Sequence, residues 1–157
     1  MRDLPDAECV HLTLPVFFSM PPRLGLTAEQ SDQPSDKPEY LLDSSMDIPR
    51  LSARLVVISC SHWSHDALDA RGVENLAKSF LLSGAQCVLI GMWPVPSTAS
   101  SILLRAFYSA MLQGQRASRA LAEAMQTVQH TRHFAHPVNW AGWLLLGGDT
   151  RLANKVL

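Results

Sequence analysis

Apolar positions along the chain fall into short continuous runs and helically spaced stripes. Leu55-Val56-Val57-Ile58-Ser59 is an unbroken, largely β-branched run, the pattern of a strand buried on both faces. Val73, Leu76, Ala77, Phe80 and Leu81 follow at helical spacing, and Gly84 supplies the stop. Cys87 to Met92 reads as a second buried strand, closed by Trp93-Pro94. Ser97 or Thr98 is placed to cap a helix carrying Ile102, Leu103, Ala106, Phe107, Ala110 and Met111, which ends at Gly114. A further helix sets Ala117, Leu121, Ala124, Met125 and Val128 on one face. Pro137 then breaks the chain before Trp143-Leu144-Leu145-Leu146, a last strand stopped by Gly147-Gly148.

The first part of the chain is less regular. Cys9 to Leu14 reads as a short strand ended by Pro15. From Ser19 to about Arg54 the composition turns to Pro, Ser, Asp and Gln, with prolines at 21, 22, 34, 38 and 49. That stretch predicts a long loop or partly disordered insertion, with one helical turn near Tyr40–Met46. The domain reading is therefore a first strand in 1–18, an insertion in 19–54 and an α/β core in 55–157. Strands separated by helices call for an α/β fold: a mostly parallel sheet of about four strands, with right-handed crossovers and helices on both faces.

Composition narrows the function classes. Of the 157 residues, 47% are hydrophobic and 17% charged, an ordinary globular balance, and the net charge is −1. No global field recruits nucleic acid or an acidic membrane, so neither is expected as a partner. The charge is unevenly spread: residues 1–54 hold five Lys/Arg against nine Asp/Glu, while 55–157 hold eight against five. No run approaches the ~20 apolar residues of a membrane span. Cys9, Cys60 and Cys87 are odd in number and form no CxxC, so neither a disulfide framework nor a cysteine zinc site is indicated, and a reducing compartment is the simpler reading.

Chemistry in an open α/β sheet sits at the carboxyl ends of strands. Directly after the run at 55–59 come Cys60, Ser61, His62, Trp63, Ser64 and His65. A thiol or hydroxyl beside an imidazole is the raw material of nucleophilic catalysis. The simpler reading makes Cys60 a small core residue and places the histidines on a wet loop, because neighbours at a strand end point to opposite faces. His130, His133 and His136 recur every third residue, and three imidazoles can hold zinc. They precede Pro137 at a helix end, where histidine simply suits the dipole, so no metal is expected. Trp93-Pro94-Val95-Pro96 is either a stacking surface or, on the simpler reading, a cover for the sheet rim. Gly147-Gly148-Asp149 lacks any phosphate-loop continuation, and no cofactor is expected.

Several of these segments together resemble the CHAT domain, the caspase-like module usually found after tetratricopeptide repeats. They are Leu55–Ser59, Gly72 with Leu76-Ala77-Lys78, Phe80-Leu81, Gly84-Ala85, Val88 and Trp93-Pro94-Val95. Phe107-Tyr108, Gly114, Ala120-Leu121, Asn139-Trp140-Ala141-Gly142-Trp143 and Gly148-Asp149 continue the match, which is strong over residues 55–150 and weak over 6–14. The resemblance implies a caspase-like fold in which a Cys–His dyad at the ends of adjacent strands cleaves peptides.

Carried over residue by residue, that dyad is degenerate. The family's histidine strand carries two histidines four residues apart, the second being the base. His11 fits the first position and Pro15 occupies the second. Aligned without a gap, Cys60 falls on an alanine position and Ser61 on the nucleophile position. A serine hydroxyl is far less acidic than a thiol and has no evident base there. The resemblance thus implies a non-catalytic interaction module of a cytoplasmic tetratricopeptide-repeat scaffold, with protein partners that include repeat domains of the same full-length protein and a cytoskeletal connection. Two rivals remain: a cysteine peptidase using Cys60 with His62 or His65, and a truncated fragment without independent function. A full caspase-like sheet has two more strands before the histidine strand, so Cys9–Leu14 is expected to expose an unpaired edge.

Overall fold

Residues 7–17, 23–25, 40–42, 48–63 and 70–152 are described by a computed structural model. Its frame is a sheet of strands β1 (Cys9–Phe17), β2 (Arg23–Gly25), β3 (Tyr40–Leu42), β4 (Leu55–Trp63), β5 (Cys87–Gly91) and β6 (Trp143–Gly147). Helix α1 (Ala70–Leu82) connects β4 to β5, and α2 (Ser97–Leu112) and α3 (Ala117–Gln129) lie between β5 and β6. The strand order is β3-β2-β1-β4-β5-β6. β1 is parallel to β4 and β4 to β5, whereas β6 runs antiparallel to β5. The apolar runs account for β4 and β5, and the stripe between them for α1, the crossover that joins them. The reversal of β6 has a topological cause: α2 returns the chain to the far end of the sheet, α3 brings it back, and the next strand must run down.

Residues alternate strictly between the two faces of the central strands. Val10, Val56, Ile58, Val88 and Ile90 pack with Val73, Leu76, Ala77 and Phe80 of α1. Leu55, Val57, Cys87 and Leu89 pack with Leu103, Phe107, Met111 and residues of α3 on the other side. Each side chain in these layers is buried. Two helix-bearing faces explain why β4 and β5 are apolar at every position rather than every second one.

Four expectations need correction. Pro15 does not end the first strand, which runs on to Phe17 with a register shift between Leu14 and Val16. Proline is tolerated where a strand bulges, because no ladder hydrogen bond is then required of it. Tyr40–Leu42 is a strand and not part of a helical turn, while residues 43–47 lie outside the described residues. The cap of α2 is neither Ser97 nor Thr98: Pro96 stands at the N-cap, and no side chain caps this end. Finally, β1 is not outermost at its C-terminal end, whereas among the described residues Cys9–Leu14 pairs with no strand on that side. β2 pairs antiparallel with it at Val16 and Phe17, and β3 lies outside β2. The segment between the first two long strands therefore supplies strands to that edge at its C-terminal end.

The end of the same segment joins the core. Ile48, Leu51 and Ala53 are buried against the α1 layer, and the Leu51 N–H donates to the Ser83 carbonyl at 2.7 Å. Gly84 sits at φ +113°, and a Cβ there would collide with the Leu51 carbonyl oxygen. Only glycine meets both demands.

Candidate functional site

The carboxyl ends of β1, β4 and β5 open beneath the first turn of α2. β1 and β4, the strands to which the resemblance assigned base and nucleophile, are hydrogen-bonded parallel neighbours. Leu14 pairs with Cys60 and Val16 with Trp63, so Pro15 on β1 stands opposite the two residues Ser61 and His62 of β4. The extra residue is a bulge on β4, and it falls after Cys60. Cys60 keeps its gapless register, paired with Leu14. His65, the remaining candidate, lies outside the described residues.

One strand pair earlier, on the α2 face, four side chains form a polar network. His11 Nε2 lies 3.0 Å from Ser59 Oγ, and the Tyr108 hydroxyl from α2 lies 3.0 Å from His11 Nδ1. Thr13 Oγ1 sits 2.8 Å from Ser59 Oγ and 3.5 Å from His11 Nε2. The imidazole is thus held on both nitrogens, between a phenol and a pair of hydroxyls. Loss of part of its hydration lowers the His11 pKa, and burial raises that of Tyr108, reinforced by neighbouring Cys9. Both groups are neutral at pH 7.

Sequence reasoning placed His11 in the family pattern but missed Ser59, Thr13 and Tyr108 as its partners. A signal existed. Tyr108 follows Phe107 on the stripe that meets the sheet, and a tyrosine beside a buried stripe brings a hydroxyl that seeks a partner. His11, Thr13 and Ser59 share that same face by alternation.

The network resembles a nucleophile–base–orienter chain with a phenol in the orienter's place. In a serine hydrolase, a buried carboxylate behind the imidazole stabilises the imidazolium formed when the serine gives up its proton. Here the group behind His11 is a phenol held neutral, and the His11 pKa is shifted away from the charged form. The Ser59 hydroxyl is also shared with Thr13. These groups are arranged to hold a neutral ring in place.

Above the network lies a cavity of about 420 Å³, walled by Trp93, Val95, Leu104 and Trp143 and by polar residues of α2. Trp93 both lines this cavity and covers the rim. Its indole N–H donates to the Val138 carbonyl at 2.9 Å, and its ring lies so close to Gly142 that a Cβ there would come within 2.7 Å. Trp140 donates to the Ala135 carbonyl at 3.0 Å, which ties the same connection down.

The remaining candidates are dispersed. His130 follows α3, His133 belongs to a short 3-10 helix (Arg132–Phe134), and His136 precedes a second one (Pro137–Asn139), accepting from the Val138 N–H. All three are exposed, and no continuous helix aligns them. Among the described residues no group of three or more His, Cys, Asp or Glu side chains is placed to hold a metal ion. Burial pushes the Cys87 thiol up to about 11, with Asp149 adding to the shift. Burial likewise raises the Cys9 thiol, aided by Glu8 and opposed by Tyr108. Neither is an activated nucleophile. No described helix is long and apolar enough to cross a membrane.

Adjacent parallel strands whose ends bring the base and nucleophile positions together, with helices on both faces, define a caspase-like α/β domain. A family model for the CHAT domain matches residues 1–148, and the chain belongs to that family. It is similar to tetratricopeptide repeat protein 28 of Mus musculus, 43% identical over 185 aligned residues that span 97% of this chain and 8% of the mouse protein. Its similarity to tetratricopeptide repeat protein 28 of Homo sapiens is also 43%, over 141 residues, 86% of this chain and 6% of the human protein. The chain thus spans less than a tenth of the length of these relatives.

Proposed function

We propose that this CHAT domain is a non-catalytic docking module of a tetratricopeptide-repeat scaffold protein acting in the cytoplasm. The observation that carries the reading is the pairing at the strand ends, where Pro15 stands opposite Ser61 and His62. A proline has no group to accept a proton, and a serine without a base is a poor nucleophile. The neutral, doubly held His11 supports the same reading, because its nitrogens are engaged within the fold. The first candidate partner is the tetratricopeptide-repeat region of such a protein. Incubation of the chain with a quenched-fluorescence peptide library tests the catalytic half of the reading. No cleavage above buffer is expected at pH 6 to 8, and turnover that disappears in Cys60→Ala would replace this reading with a cysteine peptidase.

A further inference from the structure

β1 keeps an open edge on the side away from β4. Glu8 marks the polarity of the strand: its carbonyl accepts from the Arg54 and Leu55 N–H groups, so Glu8 faces β4. In an extended chain the N–H and C=O of one residue point the same way and successive residues alternate, so Val10 and Leu12 also face β4. The Leu12 carbonyl lies 3.5 Å from Ser59 Oγ of that strand, in keeping with this parity. Cys9, His11 and Thr13 therefore turn their backbone groups outward. Among the described residues no strand meets them there, since β2 joins β1 only at Val16 and Phe17.

Such edges are normally blunted by charge, proline or a bulge. Here those devices bound the open stretch and do not interrupt it: the chain bends at Glu8, and Pro15 follows Leu14. From Cys9 to Leu14 there is no Asp, Glu, Lys, Arg or Pro. Leu12, which packs on the α1 layer, remains only half-buried. An open, uncharged strand with an incompletely covered apolar side chain is a template for another strand.

We infer that this edge pairs with the same edge of a second copy of the chain, antiparallel about a two-fold axis at His11. The two ends of the stretch set the register. Centring on His11 places Cys9 opposite Thr13 and His11 opposite His11. Each such pair exchanges both hydrogen bonds, so every outward amide and carbonyl from Cys9 to Thr13 gains a partner. A slide of one residue sets outward groups against inward ones. A slide of two places Cys9 against Pro15, which has no N–H, or Thr13 against Ala7, beyond the bend. The same centring brings Val10 opposite Leu12 at the closer spacing of a pair without mutual hydrogen bonds, which carries the apolar α1 layer from one copy to the other. The bend at Glu8 also turns the incoming chain aside before it reaches β2 beside Val16. The inference goes beyond the docking reading and is independent of it, because it uses no group of the degenerate dyad.

The test is light scattering on the 157-residue chain up to its solubility limit, with three variants whose folding is checked by thermal melts. The parent chain should reach twice the monomer mass. Thr13→Pro removes an outward amide that β4 does not use and should weaken the dimer at least about tenfold. Thr13→Cys reads the register. It sets a thiol opposite Cys9 of the second copy at a Cα separation of about 5.5 Å, within disulfide range, so mild oxidation should yield a linked dimer with that bond on peptide mapping. The parent, in which Cys9 faces Thr13, should not link, nor should Ser109→Cys on α2. A monomer at every concentration, a dimer untouched by a folded Thr13→Pro, or oxidation that links Thr13→Cys no faster than Ser109→Cys would overturn the inference.

Discussion

The two faces of the sheet are built from the same strands and differ at their carboxyl ends. Toward α1, the alternating positions are Val10, Leu12, Val56, Ile58, Val88 and Ile90, and one helix covers them with Val73, Leu76 and Phe80. Toward α2 and α3, the same alternation begins apolar, with Leu55, Val57 and Leu89, and ends polar, with His11, Thr13 and Ser59 meeting Tyr108. One face is a continuous apolar seal. The other is a core at its base and a hydrogen-bonded cavity floor at its tip. Burial of strands and construction of a site are therefore separable along one face. Ala99, Leu103 and Phe107 hold α2 down along one side, while Ser97, Ser100, Ser101 and Leu104 line the cavity.

That comparison breaks most readily at its aromatic anchors. Phe80 on the α1 face and Phe107 on the α2 face are both buried, and each substitution to alanine should cost about 3–5 kcal/mol in denaturant melts. A loss under about 1 kcal/mol for Phe107→Ala would show that α2 does not seal its face. A smaller effect is expected from Gly84→Ala, which combines positive φ with collision against Leu51; about 1–3 kcal/mol is expected, measured the same way. Retention of full stability there would mean that the 48–53 strap does not lie on the α1 layer.

The polar tip should respond more gently. Tyr108→Phe removes the hydroxyl on His11 Nδ1 and should cost about 0.5–1.5 kcal/mol. The smallest effect is the pH dependence carried by His11. Partial burial places its folded pKa below the ordinary value, so the unfolded chain takes up the proton first as pH falls. The contribution is complete above about pH 6.5 and declines on acidification toward the folded pKa. Melting temperatures from pH 7.5 down to 5 should fall less steeply in His11→Gln than in the parent chain. Identical slopes would mean that His11 is hydrated in the fold as it is in the unfolded chain.

The α/β core was legible wherever burial imposed a period. The β-branched run at 55–59 and the stripe through Phe107 each permit one reading, and the structure has them as β4 and α2. Legibility failed where tertiary context outweighed local preference. Pro15 reads as a strand stop, yet a bulge spares it the ladder hydrogen bond. Arg23–Gly25 and Tyr40–Leu42 are three-residue strands in a proline-rich stretch, too short to show a period, and they exist through pairing with β1 and with each other. The direction of β6 depends on counting two helices before it. At the site, the positions of Pro15 and Ser61 could be aligned in advance, whereas the His11–Tyr108 contact joins residues 97 apart in sequence and needs the fold.

On the docking reading proposed above, the strand ends carry no activated nucleophile. Intact-mass measurement of the chain exposed to a peptide acyloxymethyl ketone near neutral pH tests it most directly. Cys60 should be labelled no faster than a free thiol of pKa about 8.5, with no adduct on Ser61. Rapid labelling of a single site, abolished by Cys60→Ala or by Ser61→Ala, would contradict it.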